Sequence, residues 1–353
     1  MGSRSKHAKG YSRNVQPPSA AAVKPVDSLL DQMVDGREYH SIVSLLPRPE
    51  AIGTDFTRAI KEVEKIRERP LLCYMANMVN RPQGLPISID GQDHLPFCEM
   101  VAQVENGCEA VDLLVVTPGG RAESVATFVA ALRRRFVDVS AVLPYQAFSA
   151  GTLWVLAANE IFMDERAVLG PIDPQVPSKD GIYVPAQCLK ALVDQIQGQI
   201  NEAVAKGLPM PVAWIEVLRN LDPKQLGAAI TSSQYVKKIA SDWIFEHKFR
   251  DWQTHSSTGV SVTCEEKRER ADRIATTLSD HQYWLSHGHG IDRDTLRDKS
   301  ALGLKIENLE DSLDFARAIR RLWALTTWFF EKSPTGKLIV SNNYMWSLHG
   351  KIG

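Results

Sequence analysis

Two short runs in this sequence hold residues whose types and spacing could perform acyl chemistry. The first is Thr117-Pro118-Gly119-Gly120, directly after the apolar run VDLLVV; the second is Phe148-Ser149-Ala150-Gly151-Thr152, one residue after VSAVLPYQ. Paired glycines after a buried strand let the backbone approach a bound group closely. Amides near Gly119 and Gly120 could therefore donate to a carbonyl oxygen that becomes negative under attack. Ser149 stands among Ala147, Ala150 and Gly151, small neighbours that leave its hydroxyl open to a substrate. Each run also has a plain structural reading, a tight turn and helix cap for the glycines and an N-cap for the serine. Their conjunction points to chemistry. Two successive strand ends, followed by the Gly170-Pro171 turn after the next strand, could set one hydroxyl beside two backbone donors. Phosphate cradling is disfavoured, because the spacing and lysine of a P-loop are missing.

A sheet has to hold these turns, and the pattern around them supplies one. DFTRAIKEVEKIRER (55–69) has helical spacing and is stopped by Pro70, and LLCYMANMV reads as a buried strand. Ile87–Asp90 reads as extended, and His94–Asn106 as a helix capped by Gly107. Beyond them the chain alternates: VDLLVVTP strand, GGRAESVATFVAALRRRF helix, VSAVLPYQ strand, FSAGTLWVLAAN helix, EIFMD strand. This predicts right-handed β-α-β units around a largely parallel sheet, whose reactive groups gather where strands end and helices begin. After Pro174 four helix-like segments follow, and 308–332 forms one more, with a stripe of Trp323, Trp328, Phe329 and Phe330 that reads as core or subunit contact. Residues 1–26, rich in Ser, Gly, Pro and basic side chains, read as a disordered tail. The expected division is tail 1–26, catalytic core 27–180, and a helical region 181–353 that completes the site and mediates oligomerisation.

Bulk properties exclude several function classes. With 41 Lys and Arg against 42 Asp and Glu, the 353 residues carry a formal charge of −1, so no global field draws in nucleic acid or an anionic membrane. EEKRERADR has mixed signs and reads as a solvated helix face. Five scattered cysteines fit a reducing compartment. The basic N-terminus lacks the apolar stretch of a secretory signal, and no run approaches a spanning helix, so the chain is expected to be soluble and cytoplasmic, without membrane association. His281, His287 and His289 cluster without cysteine or carboxylate at ligand spacing, so no metal is expected.

The run from VDLLVVTPGG through FSAGT to GPIDPQ, with LSDHQYWLSHGHG further on, resembles the ClpP-class serine peptidases. Within them it is most similar to the serine dehydrogenase proteinase family, related to signal peptide peptidase SppA. The resemblance covers roughly residues 71–308. It implies an α/β, ClpP/crotonase-like fold of stacked β-α-β units with a helical C-terminal extension, and homo-oligomers such as rings. It also implies an ATP-independent endopeptidase that needs no cofactor, acts on polypeptides, and passes through an acyl-enzyme on Ser149. The amides of Gly120 and Ala150 would then form the oxyanion hole, with Gly119 shaping the turn.

The general base stays open. ClpP has a histidine where this sequence has GPIDPQ, with Asp173 near the position, and SppA-like relatives use a desolvated lysine. Lys190, 41 residues after Ser149 on the apolar helix CLKALV, is the first candidate for a Ser-Lys dyad. Lys179 and Lys206 are alternatives, and His287 is a separate one suited to base duty. Two rival functions remain: acyl-CoA chemistry on the same fold, where backbone donors hold a thioester enolate, and a catalytically weakened scaffold or regulatory subunit.

Overall fold

The computed structural model describes residues 25–349 apart from 49, 179, 210–211 and 256–257. Most of the segment expected to be a tail thus lies outside the described residues. From α1 (Glu38–Ile42) and α2 (Ala51–Arg67) the chain enters β1 (Leu71–Ala76), then α3 (His94–Ala102), β2 (Ala110–Val116), α4 (Ala122–Arg135) and β3 (Asp138–Leu143). After the two-residue β4 (Gln146–Ala147), α5 (Ala150–Leu156) leads to β5 (Glu160–Met163). β1, β2, β3 and β5 lie side by side and parallel, as the alternation predicts.

Their residues alternate between two cores, as the period of a strand requires. Leu71, Cys73, Met75, Leu114 and Val116 face Phe56, Ile60 and Val63 of α2. Leu72, Tyr74, Leu113 and Val115 face Phe97, Phe128 and Trp154 of α3, α4 and α5. Each such side chain contributes about 1.5–3 kcal/mol by leaving water. Trp154 is the anchor of α5, with its ring 5.1 Å from Phe97 and Phe128 and 5.4 Å from Tyr74. That packing fixes the helix whose first turn follows Ser149.

Beyond β5 come β6 (Val168–Leu169), a hairpin of β7 (Gln175–Pro177) and β8 (Tyr183–Pro185), and a helical stretch: α6 (Ala186–Ala205), α7 (Val212–Asn220), α8 (Pro223–Trp243), α9 (Cys264–Ser279), α10 (His281–Trp284) and α11 (Arg293–Arg297). The fold is mixed α/β, with sheets flanked by helices and a helix-rich C-terminal part. β9 (Glu307–Asn308) then pairs with β5, and α12 (Leu313–Lys332) lies against α2. The aromatic stripe of α12 is core: Trp328 and Phe330 are buried, Trp323 stacks on Tyr145, and Phe329 meets Phe56 edge-on.

The last segment departs from the expected helical extension. β10 (Thr335–Val340) and β11 (Met345–His349) form an antiparallel hairpin that adds β10 to the free edge of β1, giving the order β11-β10-β1-β2-β3-β5-β9. The run TGKLIV is short and ends on the apolar Leu338, Ile339 and Val340, and the turn Ser341-Asn342-Asn343 that follows it lets the chain reverse. The hairpin thereby covers a strand edge that would otherwise carry unpaired backbone groups.

Candidate active site

The two glycine- and serine-bearing turns touch. Thr117 N–H donates to the Gln146 carbonyl and Phe148 N–H donates to that of Thr117, each at 3.0 Å, so 117–120 and 146–149 run alongside one another. A Cβ on Gly119, whose φ is +100°, would lie 2.7 Å from the Phe148 oxygen and 2.8 Å from Ser149 Cβ. Only glycine allows that approach. One residue on, Gly120 (φ +149°) leaves no room for a Cβ either, since it would stand 2.2 Å from the Ile89 oxygen.

Ser149 is not an ordinary N-cap. A capping serine has extended backbone and accepts from an amide of the first turn. Ser149 instead has φ +52° and ψ −116°, and its hydroxyl makes no capping bond. Such a conformation costs a non-glycine residue on the order of 1–3 kcal/mol and persists only where its surroundings impose it. Here the turn is closed by Gly151 N–H donating to the Phe148 oxygen at 2.7 Å, and Gly151 lies so close to Thr117 that a Cβ would meet its methyl at 2.4 Å. The sharp strand-to-helix turn, with a half-buried serine whose hydroxyl makes no capping bond, has the form that aims a nucleophile outward from a sheet edge.

Donors stand beside it. Ala150 is the first residue of α5, so its N–H has no acceptor within the helix. The Gly119 carbonyl and Arg121 N–H make the bonds to Ile89, which leaves the Gly120 N–H out of that ladder.

A third segment reaches the same edge. Thr152 Oγ1 accepts from the Gly170 N–H at 3.0 Å, and its one proton has the carbonyls of Ala147 (2.8 Å) and Gly170 (2.9 Å) as acceptors. A Cβ on Gly170 would lie 2.3 Å from Phe148 Cδ1 and 3.3 Å from Phe148 Cα. Three residues later is Asp173, fully buried; that length of chain spans at most about 10 Å. Asp173 Oδ1 is 2.8 Å from His287 Nδ1, and Oδ2 is 2.9 Å from His281 Nδ1. The histidine segment is laid across this strip by bonds from Ile172 N–H to the Leu278 oxygen and between Leu169 and Ile291. A carboxylate that accepts from Nδ1 leaves Nε2 of each ring as the basic nitrogen.

The lysine candidates fare differently. Lys190 is exposed on α6 and paired with Asp194, and the cavity beside it, about 430 Å³, is lined from α6, α8, the end of α9 and Gln282 of α10, without any residue of the Ser149 or Gly119 turns. It lacks the desolvation that a lysine base requires. Lys206 is exposed and 3.5 Å from Glu202, and Lys179 lies outside the described residues. Lys248 is desolvated, and burial pulls it down to about 8; its Nζ donates to the Asn159 carbonyl at 3.1 Å. Asn159 follows the far end of α5, about 10 Å of helix away from Ser149. Sequence reasoning missed the shared carboxylate. Asp173 and His287 are 114 residues apart, and only the path of the intervening helices joins them.

Among the described residues, Asp164, Glu165 and Glu310 come close enough to share an ion. Arg166, Arg293 and Arg320 already pair with Asp164 and Glu310 at 2.6 to 3.0 Å, so the charge a cation would answer is met. Also among the described residues, no helix is long and apolar enough to cross a membrane.

Residues 101–204 match the family of ClpP-like SDH-type serine proteinases, so the chain holds a serine-protease-like region. An uncharacterised protein of Methanocaldococcus jannaschii is 40% identical over 180 residues, covering 50% of this chain and 57% of the relative. The chain thus spans about half the length of that curated relative. Among solved structures, a lysine-to-alanine variant of the 1510-N membrane-bound stomatin-specific protease in complex with a substrate peptide is similar at 14% identity. It covers 74% of this chain and 85% of its own, with a TM-score of 0.36. A probable enoyl-CoA hydratase/isomerase from Mycobacterium abscessus is similar at 15% identity over 73% of each chain, with a TM-score of 0.31.

Proposed function

We propose that this protein is a serine endopeptidase that hydrolyses peptide bonds through an acyl-enzyme on Ser149. Ser149 Oγ attacks the scissile carbonyl, and its proton passes to Nε2 of His287. Asp173, bonded to Nδ1 of the same ring, holds the imidazole in the tautomer that can accept it and offsets the charge it gains. The oxygen of the tetrahedral intermediate is held by the N–H groups of Gly120 and Ala150. His287 then returns the proton to the departing amine, and a water repeats the sequence on the ester. His281, on the other oxygen of Asp173, acts as a second brace for that carboxylate.

The observation that carries this reading is the strained backbone of Ser149, held against Gly119, with a hydroxyl that makes no capping bond to its helix. Acyl-CoA chemistry would use the same backbone donors but would give a serine no reason to occupy that conformation. The family match over 101–204 supports a hydrolase. The shared Asp173 supports histidine rather than Lys190 as base. The test is labelling by a fluorophosphonate probe together with casein hydrolysis. Both are expected in the wild type and lost in Ser149→Ala. His287→Gln is expected to slow acylation by at least about 100-fold, the usual contribution of a positioned base, and Lys190→Ala is expected to leave it unchanged. Wild-type protein that folds and does not label, or labelling that survives Ser149→Ala, rejects the reading.

A further inference from the structure

Lys337 is the one lysine in β10, and its side chain is wholly buried. Lysine is almost never buried without a partner. Its Nζ lies 2.7 Å from Asp93 Oδ1, 3.6 Å from Asp90 Oδ2, and 3.1 Å from the Ser88 carbonyl, to which it donates. Asp93, also buried, accepts from Tyr74 Oη at 2.8 Å and from Asp90 N–H at 3.1 Å. Burial keeps the Tyr74 phenol protonated, well above its usual value of 10, so it stays a donor.

The two peptide units that flank Ile89 are each gripped at both ends. In the first, the Ser88 carbonyl takes the Lys337 bond while Ile89 N–H donates to the Gly119 oxygen at 2.8 Å. In the second, Asp90 N–H donates to Asp93 while the Ile89 carbonyl accepts from Arg121 N–H at 2.9 Å. A charged donor on a peptide oxygen polarises the unit and strengthens the bond made by its N–H. Gly120 is packed on Ile89 too closely for a Cβ.

We infer that Lys337 and Asp93, braced by Tyr74, are positioning residues for the Gly119–Gly120 turn, acting through the backbone of Ser88–Asp90. Its consequence for acylation rests on the reading of Gly120 as an oxyanion donor; the clamp itself does not. Loosening the segment lets the turn drift, and a displacement of about 1 Å at a reacting centre is worth on the order of 100-fold in rate.

The test is the variant Lys337→Met/Asp93→Asn, which removes both charges together so that neither is left buried alone. Amide hydrogen exchange is followed residue by residue, alongside the saturating rate and half-saturating concentration for fluorophosphonate labelling. Exchange at Ile89 and Arg121 should rise at least about tenfold, with amides of β2 and β3 unchanged. The saturating labelling rate should fall at least about tenfold at an unchanged half-saturating concentration. Unchanged exchange at Ile89 and Arg121 overturns the inference, as does protection lost throughout the sheet, which would make the pair merely structural. If the wild type does not label and local exchange still rises, the clamp stands and the peptidase reading falls. Should the double variant not fold, Tyr74→Phe, which keeps the ion pair, is read the same way with a smaller rise.

Discussion

Replacing Ser149 by glycine should abolish activity and make the protein more stable than replacing it by alanine. Alanine deletes a hydroxyl that makes no capping bond but leaves a Cβ on a residue with φ +52° and ψ −116°. The strain therefore persists. Glycine relieves it, a gain of about 1–3 kcal/mol, offset by the greater backbone freedom of glycine in the unfolded chain, about 0.5–1 kcal/mol. The balance is about 1 kcal/mol in favour of Ser149→Gly. With a urea dependence of roughly 3 kcal/mol per molar, the midpoint should lie about 0.3 M above that of Ser149→Ala. Equilibrium unfolding of the two variants side by side measures this, with the fluorophosphonate probe confirming that neither labels. A Ser149→Gly midpoint equal to or below that of Ser149→Ala would mean that the turn stores no strain, and the argument from backbone conformation to nucleophile would fail.

Three further perturbations test separate parts of the site. Gly119→Ala puts a Cβ within 2.8 Å of Ser149 Cβ, so labelling should drop by about 100-fold and stability by about 1–3 kcal/mol; wild-type labelling in this variant would separate the two turns. Asp173→Asn removes the carboxylate that accepts from both imidazoles and should slow acylation by at least about 100-fold, more than His281→Gln does; equal losses in the two variants would make His281 the base as readily as His287. The third concerns pH. Burial, with the charges of Arg133 and Arg250, pushes His247 down to about 4 from 6.5, so between those values the unfolded chain binds a proton that the folded protein does not. Stability should fall as pH drops through that window, by about 1 kcal/mol because the ring is only half-buried and solvent screens part of the effect. His247→Gln should flatten that part of the stability profile, and an unchanged slope would refute the assignment.

The alternation from Leu71 to Met163 was legible because each strand is a short, largely apolar run and α4 carries charges at helical spacing. Local pattern and final structure agree there. Helix α3 ended earlier than its pattern suggested, at Ala102, with Gly107 turning the chain well past the cap. The β10–β11 hairpin was illegible for a physical reason. A six-residue segment with only Leu338, Ile339 and Val340 as an apolar run has no period of its own, and the open edge of β1 makes it a strand. Lys337 added to the confusion, since a lysine within such a run suggests exposure until its partner Asp93 is known.

The candidate site divides along the same line. Gly119, Gly120, Ser149 and Ala150 come from consecutive strand ends, and adjacency in a parallel sheet follows from order in the chain, so sequence could join them. The pairing of Asp173 with the two histidines could not be found in that way. Asp173 leaves the sheet before the helices α6 to α9, and His281 and His287 return only after them. Those helices set the geometry, because Gln187 at the start of α6 accepts from the His281 N–H at 2.9 Å and its amide bonds the Ser279 carbonyl. The helical excursion is thus tied shut at its root, at the point where the histidines rejoin Asp173. A lysine inside the excursion, such as Lys190, is free to remain in solvent, whereas the residues at its two ends are forced together. The excursion closes where Asp173 meets the two histidines, a juxtaposition that a count of residues along the chain does not measure.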